Sequence, residues 1–298
     1  MGYDAWIILT GSLVGAACGL VSCFLILRRM AMLADAISHS VILGIIGAYL
    51  VSQNLQGVSM LIGAVIVGML TAFLVQFLNS LGVQADASIG VVFTFLFAVG
   101  VILISVFAGQ VHIDTQHALM GEIAFIPWNT LEIAGMNLGP IAVWMLSVVL
   151  IINIILIALF YKEIKISSFD PEMALALGIP ITVIHYLLMG MLSITTVASF
   201  DSVGAILVVA MLIVPGATAY LLTDRLFVML ILSIAVGVAA AILGYWFASI
   251  FNVSISGSMA MMGGVLFTLA LFFSPTHGLI AKYIARRKIR YREITRGS

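Results

Sequence analysis

The 298-residue chain is 63% hydrophobic and only 8% charged, with twelve Lys and Arg balanced by twelve Asp and Glu. Its mean hydropathy is +1.28. No water-soluble fold can hide so much apolar surface under so little charge, and disorder, a disulfide scaffold and a nucleic-acid module are excluded as well. The chain reads as all-α, a polytopic membrane protein without a separate soluble domain.

About 20 apolar residues suffice to cross a bilayer core. In chain order they predict spans over 5–27, 31–51, 58–80, 88–108, 138–161, 181–199, 202–223, 226–251 and 256–274. That is nine, or eight if two adjacent segments form one broken helix; 181–199 and 202–223 are the closest pair. The first span is too long for a signal peptide, lacks a basic start and ends in Arg28-Arg29, so it is read as a retained helix. Gly11, Gly15 and Gly19 repeat at four-residue spacing, a face that lets another helix of this chain or of a partner approach closely. Cys18 and Cys23 on the same helix are poorly spaced for a disulfide and read as small packing residues.

The basic residues sort by side. Arg28 and Arg29 follow span one, Lys162 and Lys165 follow span five, and Arg225 follows span seven. Lys282, Arg286, Arg287, Lys288, Arg290, Arg292 and Arg296 follow span nine. With nine spans all twelve fall on one face, which the positive-inside rule makes cytoplasmic, with the N-terminus outside and the C-terminus inside. The outer connections hold Asp4, His112, Asp114, His117, Glu122, Glu132 and Asp201, without Lys or Arg. Such a face favours an approaching cation, although positive-inside depletion alone produces the same pattern.

Asp35 and His39 stand one helical turn apart inside the second span. An ionisable group there costs several kcal/mol unless it faces a cavity or a partner. A carboxylate and an imidazole at this spacing make half a site for a first-row divalent metal; a packed Asp–His hydrogen bond or a proton relay fits the same pair. Asp201 reads as a helix cap or an entry-gate acid at the seventh span. His185 and His277 read as interfacial residues.

Residues 162–180 form the only long inner connection. Asp170-Pro171-Glu172 is a helix start and Gly178 before Pro180 a stop, predicting a short cytoplasmic helix over 170–178. There is no Gly-Lys pair and so no phosphate loop of the Walker type; any ATP-driven work needs another chain. Neither a HExxH nor a Gly-x-Ser-x-Gly motif occurs.

The run Arg28-Arg29-Met30-Ala31 through Asp35-Ala36-Ile37-Ser38-His39-Ser40-Val41 resembles the membrane permeases of bacterial manganese/zinc/iron ABC importers. So do Ser168 to Glu172 with Ala174 and Gly178, Val203 to Ala210, Pro215 to Ala219, Leu222 to Leu226, Asp86 to Gly90 and Ser274-Pro275. The likeness runs in order over roughly residues 10–280. It implies a permease domain over 1–280 and a basic cytoplasmic tail over 281–298, set in the bacterial cell membrane among its lipids. The chain would be no enzyme but a pore-forming subunit that pairs with a second copy of itself. Its other partners would be two cytoplasmic ATP-binding subunits and an extracytoplasmic metal-binding protein, with no permanently bound cofactor and no nucleic acid. Asp35 and His39 would touch the metal in transit, with Asp201 as a gate acid. Asp170, Pro171, Glu172, Ala174 and Gly178 would couple to the ATPase. Manganese is favoured, with zinc and iron as alternatives; the rival expectation is a proton-coupled secondary metal transporter.

Overall fold

A computed structural model describes residues 2–52, 58–107, 123–128, 130–133, 136–274 and 278. Side chains at 58–61, 131–133, 136–138 and 201 lie outside that description, as do His112, Asp114, His117, Glu122, His277 and the tail 281–298. Among the described residues, nine helices are long and apolar enough to cross a membrane. They are α1 (Tyr3–Leu27), α2 (Ala31–Ser52), α3 (Val58–Ser80), α4 (Ala85–Phe107), α5 (Ile141–Leu159), α8 (Ile181–Val203), α9 (Ala205–Leu222), α10 (Leu226–Phe251) and α11 (Ile255–Phe273). Two short helices, α6 (Tyr161–Phe169) and α7 (Pro171–Ala176), lie between α5 and α8.

The expected spans agree with these helices to within a few residues. Two features lie outside the sequence-based reading. One is α6, where Tyr161-Lys162-Glu163-Ile164-Lys165 starts a new helix once the apolar run ends at Leu159. The other is a small antiparallel hairpin, β1 (Thr130–Ile133) with β2 (Met136–Pro140), ahead of α5.

Helix α1 is the hub, packed against α10, α9, α5 and α8. Gly15 and Gly19 of its glycine face meet α10 of the same chain, and Gly11 meets Met259 of α11. A Cβ placed on Gly15 would lie 2.5 Å from the Gly237 carbonyl oxygen, and one on Gly19 would lie 2.8 Å from that of Ser233. In a bilayer, where lipid tails are as apolar as side chains, such backbone contact supplies much of the helix–helix attraction. Polar groups seal the seam: Ser233 Oγ donates to the Gly19 carbonyl at 2.8 Å, and Cys23 Sγ lies 3.2 Å from Ser233 Oγ. Cys18 and Cys23 are both free and buried, as packing residues. Around this hub, α9, α10 and α11 form one group; α2, α3 and α4 form a second, and α8 bridges them through α3.

The closely spaced pair resolves into two helices. Cys18 Sγ lies 3.6 Å from Ser199 Oγ on α8, while Ser22 Oγ bonds the Ile213 carbonyl on α9. Ser199 and Ile213 would be about 21 Å apart along one continuous helix, yet they face α1 positions a single turn apart. The chain therefore reverses between them. The reversal is made at Gly204, whose φ of 80° and ψ of 167° suit only glycine. Val203, Gly204 and Ala205 are buried, so this tip is held inside the protein. Pro215 lies inside α9, and beside it the Gly216 N–H donates to Ser22 Oγ at 3.0 Å, keeping a backbone donor satisfied without water.

Candidate functional site: an acid–imidazole pair on α2

A tight turn joins α1 to α2. Arg29 takes a left-handed φ of 56°, the Met30 N–H donates to the Leu25 carbonyl at 2.8 Å, and α2 begins at Ala31. At 1.5 Å per residue, Asp35 stands about 6 Å and His39 about 12 Å along α2. The pair thus lies in the half of α2 nearer Arg28.

His39 Nε2 is 3.5 Å from Asp35 Oδ1, and the two side chains are 33% and 45% exposed. The imidazole leans on two α4 rings, Phe93 at 5.7 Å between centroids and Phe97 edge-on at 6.2 Å. Ser38 and Ser40 beside the pair are buried: Ser38 Oγ donates back to the Ala34 carbonyl of α2 itself, and Ser40 Oγ shares a 2.8 Å hydrogen bond with Thr71 Oγ1 of α3. The Ser40 bond holds its side of α2 against α3, while the acid and the imidazole stay partly exposed beside α4. An open acid–imidazole pair in a membrane span is costly facing lipid.

Among the described residues, no three His, Cys, Asp or Glu side chains gather closely enough to hold a metal. One carboxylate and one imidazole supply fewer donors than the four or more a first-row divalent ion takes. Among the described residues, the pair on its own therefore falls short of a full donor set. Asp201 lies in the last turn of α8, and the residue at the N-cap of α9 is Gly204, so the cap reading of Asp201 gives way to a place within α8. His185 lies in the first turns of α8, its ring 5.7 Å from that of Tyr186.

The 170–178 segment is built as expected but two residues shorter at its end. Asp170 Oδ1 accepts from the Met173 N–H at 2.9 Å, Pro171 opens α7, Glu172 sits in the first turn and Gly178 at φ 75° follows its end. Ala174 is buried and packs the helix down. Asp170 and Glu172 are exposed, and so are four apolar side chains: Phe169, Met173, Leu175 and Leu177 are each more than half accessible. Motif residues shape α7, and Glu172 shares its outer surface with these apolar neighbours.

Sequence reasoning missed Arg28 as more than a topology marker. Its Nη2 donates to Ser167 Oγ at 2.7 Å and its Nε to Ser168 Oγ at 3.1 Å, tying the α1–α2 turn to α6. Burial pushes its guanidinium from 12.5 down to about 10, which leaves it charged at neutral pH. Nothing local in the sequence pairs residues 139 and 140 positions apart. Phe93 and Phe97 escaped as well, because aromatic residues on an apolar helix carry no distinguishing signal.

Among the described residues, nine helices long and apolar enough to span a membrane, with a small exposed helix between two of them, make this a polytopic membrane protein. The chain belongs to the ABC 3 transport family, whose pattern matches residues 3–274. It is 64% identical over 282 residues to the manganese transport system membrane protein MntD of Bacillus subtilis (strain 168), covering 95% of this chain and 96% of that one. It is 44% identical over 285 residues to the zinc transport system membrane protein TroD of Treponema pallidum (strain Nichols), covering 95% and 77%. The solved structure of PsaBC from Streptococcus pneumoniae in complex with Fab matches with a TM-score of 0.78 at 32% identity, covering 93% of this chain and 94% of that one. The chain is thus the membrane subunit of an ATP-driven transporter in the bacterial membrane. ATP hydrolysis resides on a partner, and the family implies a substrate-binding partner too. The proton-coupled expectation gives way to ATP drive.

Proposed function

We propose that this subunit passes a divalent transition metal ion, manganese in preference to zinc or iron, into the cytoplasm through a site built from Asp35 and His39 of two copies. The observation that carries it is the acid–imidazole pair held open on a spanning helix with half the donors a metal needs. A second copy facing the first supplies two more, giving two oxygens and two nitrogens. That mixed set suits Mn²⁺, Fe²⁺ or Zn²⁺, and the absence of thiolate leans toward manganese. The names of the relatives at 64% and 44% identity, a manganese and a zinc system, support the same range. A transit site must release what it binds, so a four-donor set of moderate strength suits passage better than a closed cage.

The positive-inside pattern puts Arg28, Lys162, Lys165 and Arg225 in the cytoplasm and the N-terminus outside. In that orientation α7 faces two cytoplasmic ATPase subunits with its apolar surface. The metal-binding protein delivers from the opposite side, where Asp201 serves as a gate acid. ATP binding and hydrolysis move α7, the spans tilt, and the Asp35–His39 site changes sides.

The test is ⁵⁴Mn uptake by proteoliposomes holding the full transporter. Asp35→Asn and His39→Gln are each expected to lower uptake at least tenfold with normal assembly. Uptake at the wild-type level in both variants overturns the assignment.

A further inference from the structure

The coupling helix and the metal pair sit on different segments, and a single side chain joins those segments directly. Arg28 leaves the end of α1 and bonds Ser167 and Ser168 in the last turn of α6. Both serine hydroxyls donate to the Ile164 carbonyl, which leaves their lone pairs for the guanidinium. From Ser168 the chain reaches the cap of α7 in two residues, since Asp170 both ends α6 and caps α7. On the other side Arg28 is followed by the tight turn at Arg29, and Asp35 comes seven residues after Arg28 on a continuous α2.

We infer that Arg28 is the transmission strut of this transporter, a positioning residue that carries displacement of α7 through Ser167 and Ser168 into the Asp35–His39 pair. The bonding partners suit that task. A partly buried guanidinium is ordinarily matched by a carboxylate, and such a pair resists rearrangement. Hydroxyls hold the guanidinium in register through its rigid fork of donors but bind it more weakly. The grip is firm enough to transmit a push and loose enough to shift between two arrangements. Lysine cannot copy it, because a single ammonium lacks the fork that spans two adjacent hydroxyls.

The inference rests on Asp35 and His39 being the transit pair, and its test separates the two ideas. The complete transporter, with its ATPase subunits, is reconstituted in proteoliposomes, and ⁵⁴Mn uptake and ATP hydrolysis are read together. Arg28→Gln is expected to assemble with the ATPase and to hydrolyse ATP, yet to move at least tenfold fewer ions per ATP. The Ser167→Ala, Ser168→Ala double variant leaves the charge in place and is expected to show the same loss. Combining all three changes is expected to do no further harm, because one link is broken in each case. Arg28→Lys is expected to restore only a minor part. An unchanged ratio of ions to ATP in the serine double variant, or uptake and hydrolysis falling in parallel, overturns the inference. Should Arg28→Gln fail to assemble, the serine double variant decides alone. Failure of the transit site itself would show instead as full uptake in Asp35→Asn and His39→Gln.

Discussion

The α1–α10 seam sets up a quantitative test with Gly15→Ala. A Cβ on Gly15 would lie 2.5 Å from the carbonyl oxygen, 2.6 Å from the carbonyl carbon and 3.1 Å from the Cα of Gly237. All three are backbone atoms of a packed helix, so no side chain can swing aside. The helices must separate by a sizeable fraction of an ångström, which also stretches the Ser233–Gly19 hydrogen bond one turn away. Overpacking of this kind costs about 1–3 kcal/mol, or a fall of about five- to 150-fold in the folded-to-unfolded ratio. The assay is reversible unfolding in mixed micelles, followed by circular dichroism. The matched control is Gly264→Ala on α11, where a new Cβ meets nothing within 4 Å. In that open position the substitution is expected to be neutral or slightly stabilising, since alanine is the better helix former. Equal stability of Gly15→Ala and wild type would refute the close-packed seam.

Three other outcomes follow from the same structure. Gly204→Ala forces a Cβ into a backbone conformation open to glycine alone, at a cost of about 1–3 kcal/mol. A lowered unfolding midpoint with uptake per folded molecule also reduced is expected, because the α8–α9 tip is buried. Asp170→Ala removes the cap on the Met173 N–H, worth about 1 kcal/mol; frayed α7 should bind the ATPase more weakly in a pull-down while the bundle's own unfolding is unchanged. Thr195→Val deprives the buried Asn153 amide of its 2.7 Å acceptor. The expected loss is about 1–2 kcal/mol in the micelle assay.

Much of this protein is determined by its sequence alone, because the bilayer makes composition decisive. A backbone in hydrocarbon must satisfy its own hydrogen bonds, so each long apolar run becomes a helix and its ends are read from where polar residues return. In a nine-span order the fixed positive charges are expected on one side, which is how the sequence orders the spans. Asp35 and His39 stand out for the same reason, since an ionisable pair has no cause to sit in a span except to face something polar. The start and stop of α7 were likewise legible, because Asp170, Pro171 and Gly178 act within a few residues of themselves.

Tertiary structure decided what distant residues do to one another. Gly11, Gly15 and Gly19 announced a close contact, but only the folded chain identified the neighbours as α10 at Gly15 and Gly19 and Met259 of α11 at Gly11. Gly204 looked like part of a motif until the opposing positions of Ser199 and Ile213 showed that the chain turns back there inside the protein. Arg28 counted as one basic residue among twelve until folding brought it against Ser167 and Ser168. Local rules govern hydrogen bonds and charge within a helix, whereas the meeting of helices more than a hundred residues apart depends on shape, and shape is settled only when the whole bundle packs.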